Sequence, residues 1–146
     1  MTHPDLTSLT PSQITAELDG QKQLTQSLTG YTEKLYRPPY GLRNATVDLI
    51  ARSLGLTMTS WTYSTGDADS SQPTTAEIVS GVLANAHAGS IILMHDSREG
   101  SATVAALPQI IAGLRDKGMV PGKIVPSATS ILDVKGDPMF VKVEPF

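Results

Sequence analysis

In the segment SIILMHDS, residues 90–97, an apolar run ends in His95 and Asp96. Apolar residues that are continuous rather than alternating read as a strand covered on both faces. His95 then stands at the strand's exit. An imidazole placed there is partly desolvated and close to carboxylates, the setting in which its proton affinity is tuned for acid or base work near neutral pH. The plainer alternative is a ring that satisfies a backbone carbonyl. A second segment, RPPYGLRN at 37–44, carries two prolines that fix an extended course, lack donors and restrict Arg37 as well. Gly41 then frees the turn, so that the Tyr40 backbone N–H and the Arg37 guanidinium can be aimed into one crevice; the alternative is a loop with a solvated arginine. A third, SWTYSTGDADSS at 60–71, holds Trp61, the single tryptophan, with Asp67 and Asp69. Asp-x-Asp suits calcium, but the glycine and the later bidentate acid of a twelve-residue calcium loop are missing, which leaves a solvated turn as the default.

Other chemistries are disfavoured. His3 by itself is one ligand where a hydrolytic zinc site takes three. His87, near the end of a helical pattern, reads as a partner of the helix dipole. No G-x-S-x-G elbow, glycine-rich phosphate loop or His-Glu-x-x-His pair occurs. Ser97 lies near His95 in sequence, which does not make a Ser–His pair in space.

These residues need elements to position them. Four helices are predicted, each with punctuation at its ends. Thr10, Pro11 and Gln13 start the first, whose stripe Ile14, Leu18, Leu24 and Leu28 stops at Gly30. Asn44 opens the second, with Val47, Ile50, Ala51 and Leu54 on one face before Gly55. TTAE at 74–77 is a capping box for the third, with Ile78, Val82 and Ala86 inward before Gly89. The fourth uses Val104, Leu107, Ile110, Ile111 and Leu114 and ends at Lys117 and Gly118. Strands are predicted at 35–37, 56–63, 90–95, 131–134 and 140–143, and 121–130 reads as a loop. Strand alternating with helix implies an α/β fold, a parallel sheet with outer helices. Side chains just past the carboxyl ends of such strands face the ligand crevice, and that is where all three segments fall.

A chain of 146 residues suits a single domain. A formal charge of −3 with scattered Lys and Arg offers no basic stripe, so nucleic acid is not an expected partner. The absence of cysteine rules out disulfides and thiolate sites. No apolar run approaches the ~20 residues of a transmembrane segment, and no signal segment opens the chain.

In order and spacing, THPDLTSLT, TGYTEKLYRPPYG, a Trp-containing strand, AGSIILMHD and ALPQIIAGLRDKG resemble the later motifs of the polysaccharide deacetylase domain, carbohydrate esterase family four, also called the nodulation-factor deacetylase homology domain. The likeness covers residues 1 to about 120; the tail, 121–146, is unplaced. The resemblance implies an incomplete (β/α) barrel that hydrolyses acetyl groups from an N-acetylglucosamine polymer or an acetylated xylan. In that family an Asp and two His, spaced His-Ser/Thr-x-x-His, hold a divalent metal, usually zinc. His3 resembles the second His, with Met1 and Thr2 as spacers, so the chain reads as a single truncated domain lacking the first motif, which supplies the base and the metal Asp. By the same resemblance His95 protonates the leaving group, Asp67 tunes His95 (with Asp69 as the alternative), Arg37 orients the base, and the Tyr40 N–H stabilises the oxyanion. Leu93 lines the acetyl pocket, and Trp61 and Pro39 are further candidate substrate contacts. The family's fourth motif, Asp-x-x-Asp-Trp, meets Ser64, Asp67 and Ala68 here. The expectation is a metal-dependent, secreted or cell-envelope parent, with this chain inactive alone, not retaining the metal, and prone to self-association through an exposed sheet edge. The rival expectation is a non-catalytic carbohydrate-binding or interaction module.

Overall fold

The computed structural model describes residues 3–69, 72–96 and 101–146. Met1, Thr2 and Ser97 therefore lie outside the described residues. The predicted helices form, and the first three start at the predicted N-caps, although α3 ends at Asn85 rather than running to Gly89. In α1, Pro11–Thr29, the Thr10 side chain accepts from the Gln13 N–H and Gln13 Oε1 returns to the Thr10 N–H at 2.9 Å, while Gly30 closes the helix at φ 74°. Asn44 caps α2, Ala45–Ser53, through the Val47 N–H. The Thr74 and Glu77 capping box starts α3, Thr75–Asn85. Ser101 caps α4, Ala102–Asp116, which runs through Pro108.

The strands are shorter than expected. Leu35–Tyr36 (β1) pairs in parallel with Thr57–Met58 (β2), and Tyr63–Ser64 (β3) pairs in parallel with Ile92–Leu93 (β4). The single strand predicted at 56–63 is thus two strands in different sheets. Between them the backbone bonds leave the ladder: the Ser60 N–H meets Met139 Sδ at 2.9 Å, and the Trp61 carbonyl accepts from the Val134 N–H at 2.9 Å. The predicted loop at 121–130 is also corrected. It lies in β5, Gly122–Leu132, which pairs with β6, Pro138–Pro145. Their short connection allows only an antiparallel hairpin. Pro126 misled the reading, yet proline is tolerated on an edge strand, and a two-stranded sheet has nothing but edges.

The chain divides into two compact units. The first comprises the amino-terminal residues through Ser60 together with Val125–Ile131 and Pro138–Lys142. Its core gathers Leu6, Ile14, Tyr36, Val47, Ala51 and Leu56. The outer half of the α1 stripe is not part of it: Leu24 and Leu28 are exposed. The second comprises Trp61–Ile124, Leu132–Asp137 and Val143–Phe146. There α3 and α4 pack through Ile78, Val82, Ala106 and Ile110, with Tyr63 and Ile92 of the β3–β4 pair against them. The fourth helix buries Ala106 and Ile110 and leaves Val104, Leu107 and Ile111 outward.

Candidate active site

In the second unit the parallel register sets Tyr63 beside Ile92 and Ser64 beside Leu93, so β3 and β4 leave their ladder at the same end. Past Ser64 the chain turns at Gly66, φ 70°, with the Asp69 N–H closing onto the Gly66 carbonyl at 2.9 Å. That turn carries Asp67 to His95. Asp67 Oδ1 lies 2.8 Å from His95 Nδ1, and Asp67 Oδ2 accepts from the His95 backbone N–H at 2.7 Å. The ring's partner is a carboxylate, so the alternative of a ring satisfied by a backbone carbonyl is set aside. Thr103, at the start of α4, donates its hydroxyl to the same Oδ2 at 2.7 Å. Sequence reasoning missed Thr103; it reads as an ordinary residue of a first helical turn.

The Asp67 side chain is 3% exposed and that of His95 47%. Burial pushes the Asp67 carboxyl up, but donors from the His95 ring, the His95 backbone, Thr103 and Thr65 together outweigh it and hold the group at about 2. An ionised carboxylate only accepts, so the contact requires a proton on Nδ1. Nε2 is left as the atom through which this imidazole exchanges protons. It has no hydrogen-bond partner among the described residues. A cleft of about 150 Å³ adjoins the pair, lined by Asp67, Asp69, Gln72, His95, Ser101 and Thr103. Leu93 is half-buried on β4 and its carbonyl accepts from Thr65, while Trp61 is half-buried beyond the cleft's lining.

The first unit holds the other candidates. Arg37 leaves β1 and donates to the Ser60 carbonyl at 3.4 Å. Pro38 keeps φ at −64°, and Pro39–Gly41 form a 3₁₀ turn in which Tyr40 adopts φ 58°, ψ 8°. A left-handed backbone is costly for a tyrosine and is kept only where the surroundings impose it. Here the Gly41 N–H bonds the Pro38 carbonyl at 3.0 Å and the Leu42 N–H bonds Pro39 at 3.1 Å. The Tyr40 N–H is left with no partner among the described residues. The Tyr40 ring stands edge-on to His3, centroids 4.9 Å apart at 80°. His3, Arg37 and Pro39 line a common cavity of about 410 Å³ with Leu6, Leu18 and Leu35.

Zinc in a hydrolytic site takes three protein ligands and keeps a position open. Among the described residues no group of three His, Cys, Asp or Glu side chains stands close enough to hold a metal. His3 offers one imidazole, so these residues do not fit the ion. His87 lies beyond the end of α3, where its Nδ1 is 3.1 Å from the Ala88 carbonyl, and it has no place in the site.

The family model for polysaccharide deacetylase matches residues 1–59. A family 4 carbohydrate esterase from Streptomyces lividans, solved with acetate, superposes with a TM-score of 0.79 at 32% identity, over 99% of this chain and 67% of that one. The chain belongs to the polysaccharide deacetylase family. The superposition takes in almost all of the tail beyond residue 120 that the sequence left unplaced. A bifunctional xylanase/xylan deacetylase from Cellvibrio japonicus is 36% identical over 126 residues, 86% of this chain and 18% of its own length. A family-four pseudoenzyme from Bacillus anthracis superposes with a TM-score of 0.72 at 27% identity, over 80% of this chain and 40% of that one. Other relatives are named as chitin and peptidoglycan-N-acetylglucosamine deacetylases. The chain spans about a fifth of the length of the two bifunctional xylanase/deacetylases it matches. Its α/β class, with parallel strand pairs and flanking helices, is that of these hydrolases.

Proposed function

We propose that the intact parent of this chain removes acetyl groups from a polysaccharide, an N-acetylglucosamine polymer or an acetylated xylan, by metal-dependent hydrolysis outside the cytoplasm. In this reading the chain supplies the proton-donating side of the reaction. The observation that carries it is the Asp67–His95 pair, whose geometry leaves Nε2 of a half-exposed imidazole as the proton-exchanging atom. In its protonated form His95 donates from Nε2 to the departing nitrogen or oxygen, and the buried carboxylate at Nδ1 stabilises the cation that donates. The Tyr40 N–H, unpartnered among the described residues and held by the prolines, is suited to receive the oxyanion. Arg37 is a positioning residue, its role being to orient the base. Pro39, Leu93 and Trp61 are the proposed substrate contacts. No step is assigned to a metal on these residues, and the chain by itself is read as inactive.

A second reading, a non-catalytic carbohydrate-binding module, is favoured by the lack of a three-ligand group among the described residues and by the pseudoenzyme relative. One set of measurements separates the two. The chain is expected to hold far less than one zinc and to release no acetate from chitooligosaccharides or acetylated xylooligosaccharides. The parent is expected to turn over, and His95→Ala in it to lower turnover by about 100-fold or more with metal content unchanged. Stoichiometric zinc and turnover in the chain overturn the inactivity. A parent that binds acetylated oligosaccharides without hydrolysing them establishes the binding module instead.

A further inference from the structure

We propose that Thr103 is a positioning residue that fixes the His95 ring through Asp67, by holding one oxygen of the carboxylate so that the other stays opposite Nδ1. This inference rests on the reading of His95 as the proton donor. Asp67 has two oxygens and three neighbouring donors from His95 and α4. Oδ2 takes the Thr103 hydroxyl and the His95 backbone N–H, both at 2.7 Å, which leaves Oδ1 for the ring at 2.8 Å.

The anchor matters because Asp67 sits on a glycine turn and the terminal torsion of an aspartate is broad and roughly two-fold. Without the Thr103 hydroxyl, Asp67 would keep the His95 backbone N–H on Oδ2, a bond to the same residue whose ring it has to hold, and would lose its tie to α4. Thr103 belongs to something firmer. It is 6% exposed, at the second helical position of α4, and α4 is docked on α3 through the fully buried Ala106 and nearly buried Ile110. The Thr75 hydroxyl on α3 also donates to the Ala102 carbonyl at 3.3 Å, tying the two helix starts together. The helix N-terminus favours the anion that Thr103 holds. The hydroxyl thus transmits the rigidity of a helix pair to an imidazole at a strand exit, the part that outer partners play for a histidine that must present one nitrogen.

The test is made on this chain and needs no turnover. At alkaline pH, where the ring is neutral, the ¹⁵N shifts of His95 report which nitrogen is protonated. Wild type is expected to show Nδ1–H. Thr103→Val, which keeps the shape and removes the hydroxyl, is expected to move the population roughly tenfold toward Nε2–H, the scale of one charge-assisted hydrogen bond. Thr103→Ser is expected to restore the wild-type pattern. A Val variant that folds and keeps the wild-type pattern overturns the proposal. If the Val variant does not fold, the wild-type Thr103 hydroxyl proton decides. A slowly exchanging resonance with a cross-peak to His95 or Asp67 protons supports the anchor, and a hydroxyl in fast exchange with water overturns it. A parent whose turnover ignores His95→Ala refutes the catalytic reading and leaves this result standing.

Discussion

Asp67 is the residue on which the second unit's chemistry turns, and its charge has a consequence for stability. Hydrogen bonds hold its folded-state pKa at about 2, below the ordinary range of an unfolded aspartate near 3.9. A carboxyl depressed in this way contributes stability that is fully present above about pH 4 and is lost as pH falls through about 2. The side chain is 3% exposed, so solvent screens it little, and the contribution is on the order of 2 kcal/mol. Wild type and Asp67→Asn, melted side by side, are expected to differ by about that amount at neutral pH, with the gap closing between about pH 4 and pH 2. A gap independent of pH would show that the carboxylate's charge is not what the fold uses. At this scale the sequence carried a good deal. It marked the segments that hold His95 and Asp67 because both stand where strands end, while the pairing of Asp67 with His95 came only from the family resemblance. It left Asp69 open as the ring's partner, since two carboxylates one residue apart differ only by the direction of a turn. Thr103 stayed invisible: it stands 36 positions from Asp67, and nothing local distinguishes its hydroxyl.

Helix starts were legible because a cap is written within three or four consecutive residues, as at Thr10, Asn44 and Thr74. Strands were not, because a ladder depends on partners far along the chain. The β3–β4 pair packs against α3 through Tyr63 and Ile92, and the contact at Tyr63 is close. A Cβ added at Gly81 of α3 would clash with Tyr63 Oη, while the next atom of that side chain, Cζ, lies at 3.6 Å. Gly81→Ala is therefore expected to destabilise the chain by about 1–3 kcal/mol despite alanine's higher helix propensity. In a Tyr63→Phe background the clashing oxygen is gone and ordinary contact remains. There the same change is expected to be neutral or stabilising by up to about 1 kcal/mol. A double-mutant cycle by denaturant melts reads the difference directly, and equal effects in the two backgrounds would place the cost elsewhere than at Tyr63.

Over the whole molecule, every sheet among the described residues has two strands. Each strand consequently has one bonded edge and one open edge, and an open edge offers backbone donors and acceptors to another chain. The four strands β1 to β4 make weak templates at two residues apiece. The hairpin is different. β5 extends over 11 residues against 8 in β6, and Leu132, Val134 and Phe140 are exposed along or beside it. Pro126 interrupts the donor row of β5, and the Lys123–Glu144 contact at 4.0 Å keeps charge near one end, both of which blunt the edge without closing it. Concentration-dependent self-association is therefore expected in sedimentation velocity from low to high micromolar chain. Ala128→Lys, which adds charge at an exposed position of β5, is expected to weaken it by introducing like-charge repulsion between paired edges. A monodisperse monomer over that range, or association indifferent to Ala128→Lys, would mean that these edges are not where copies of the chain meet.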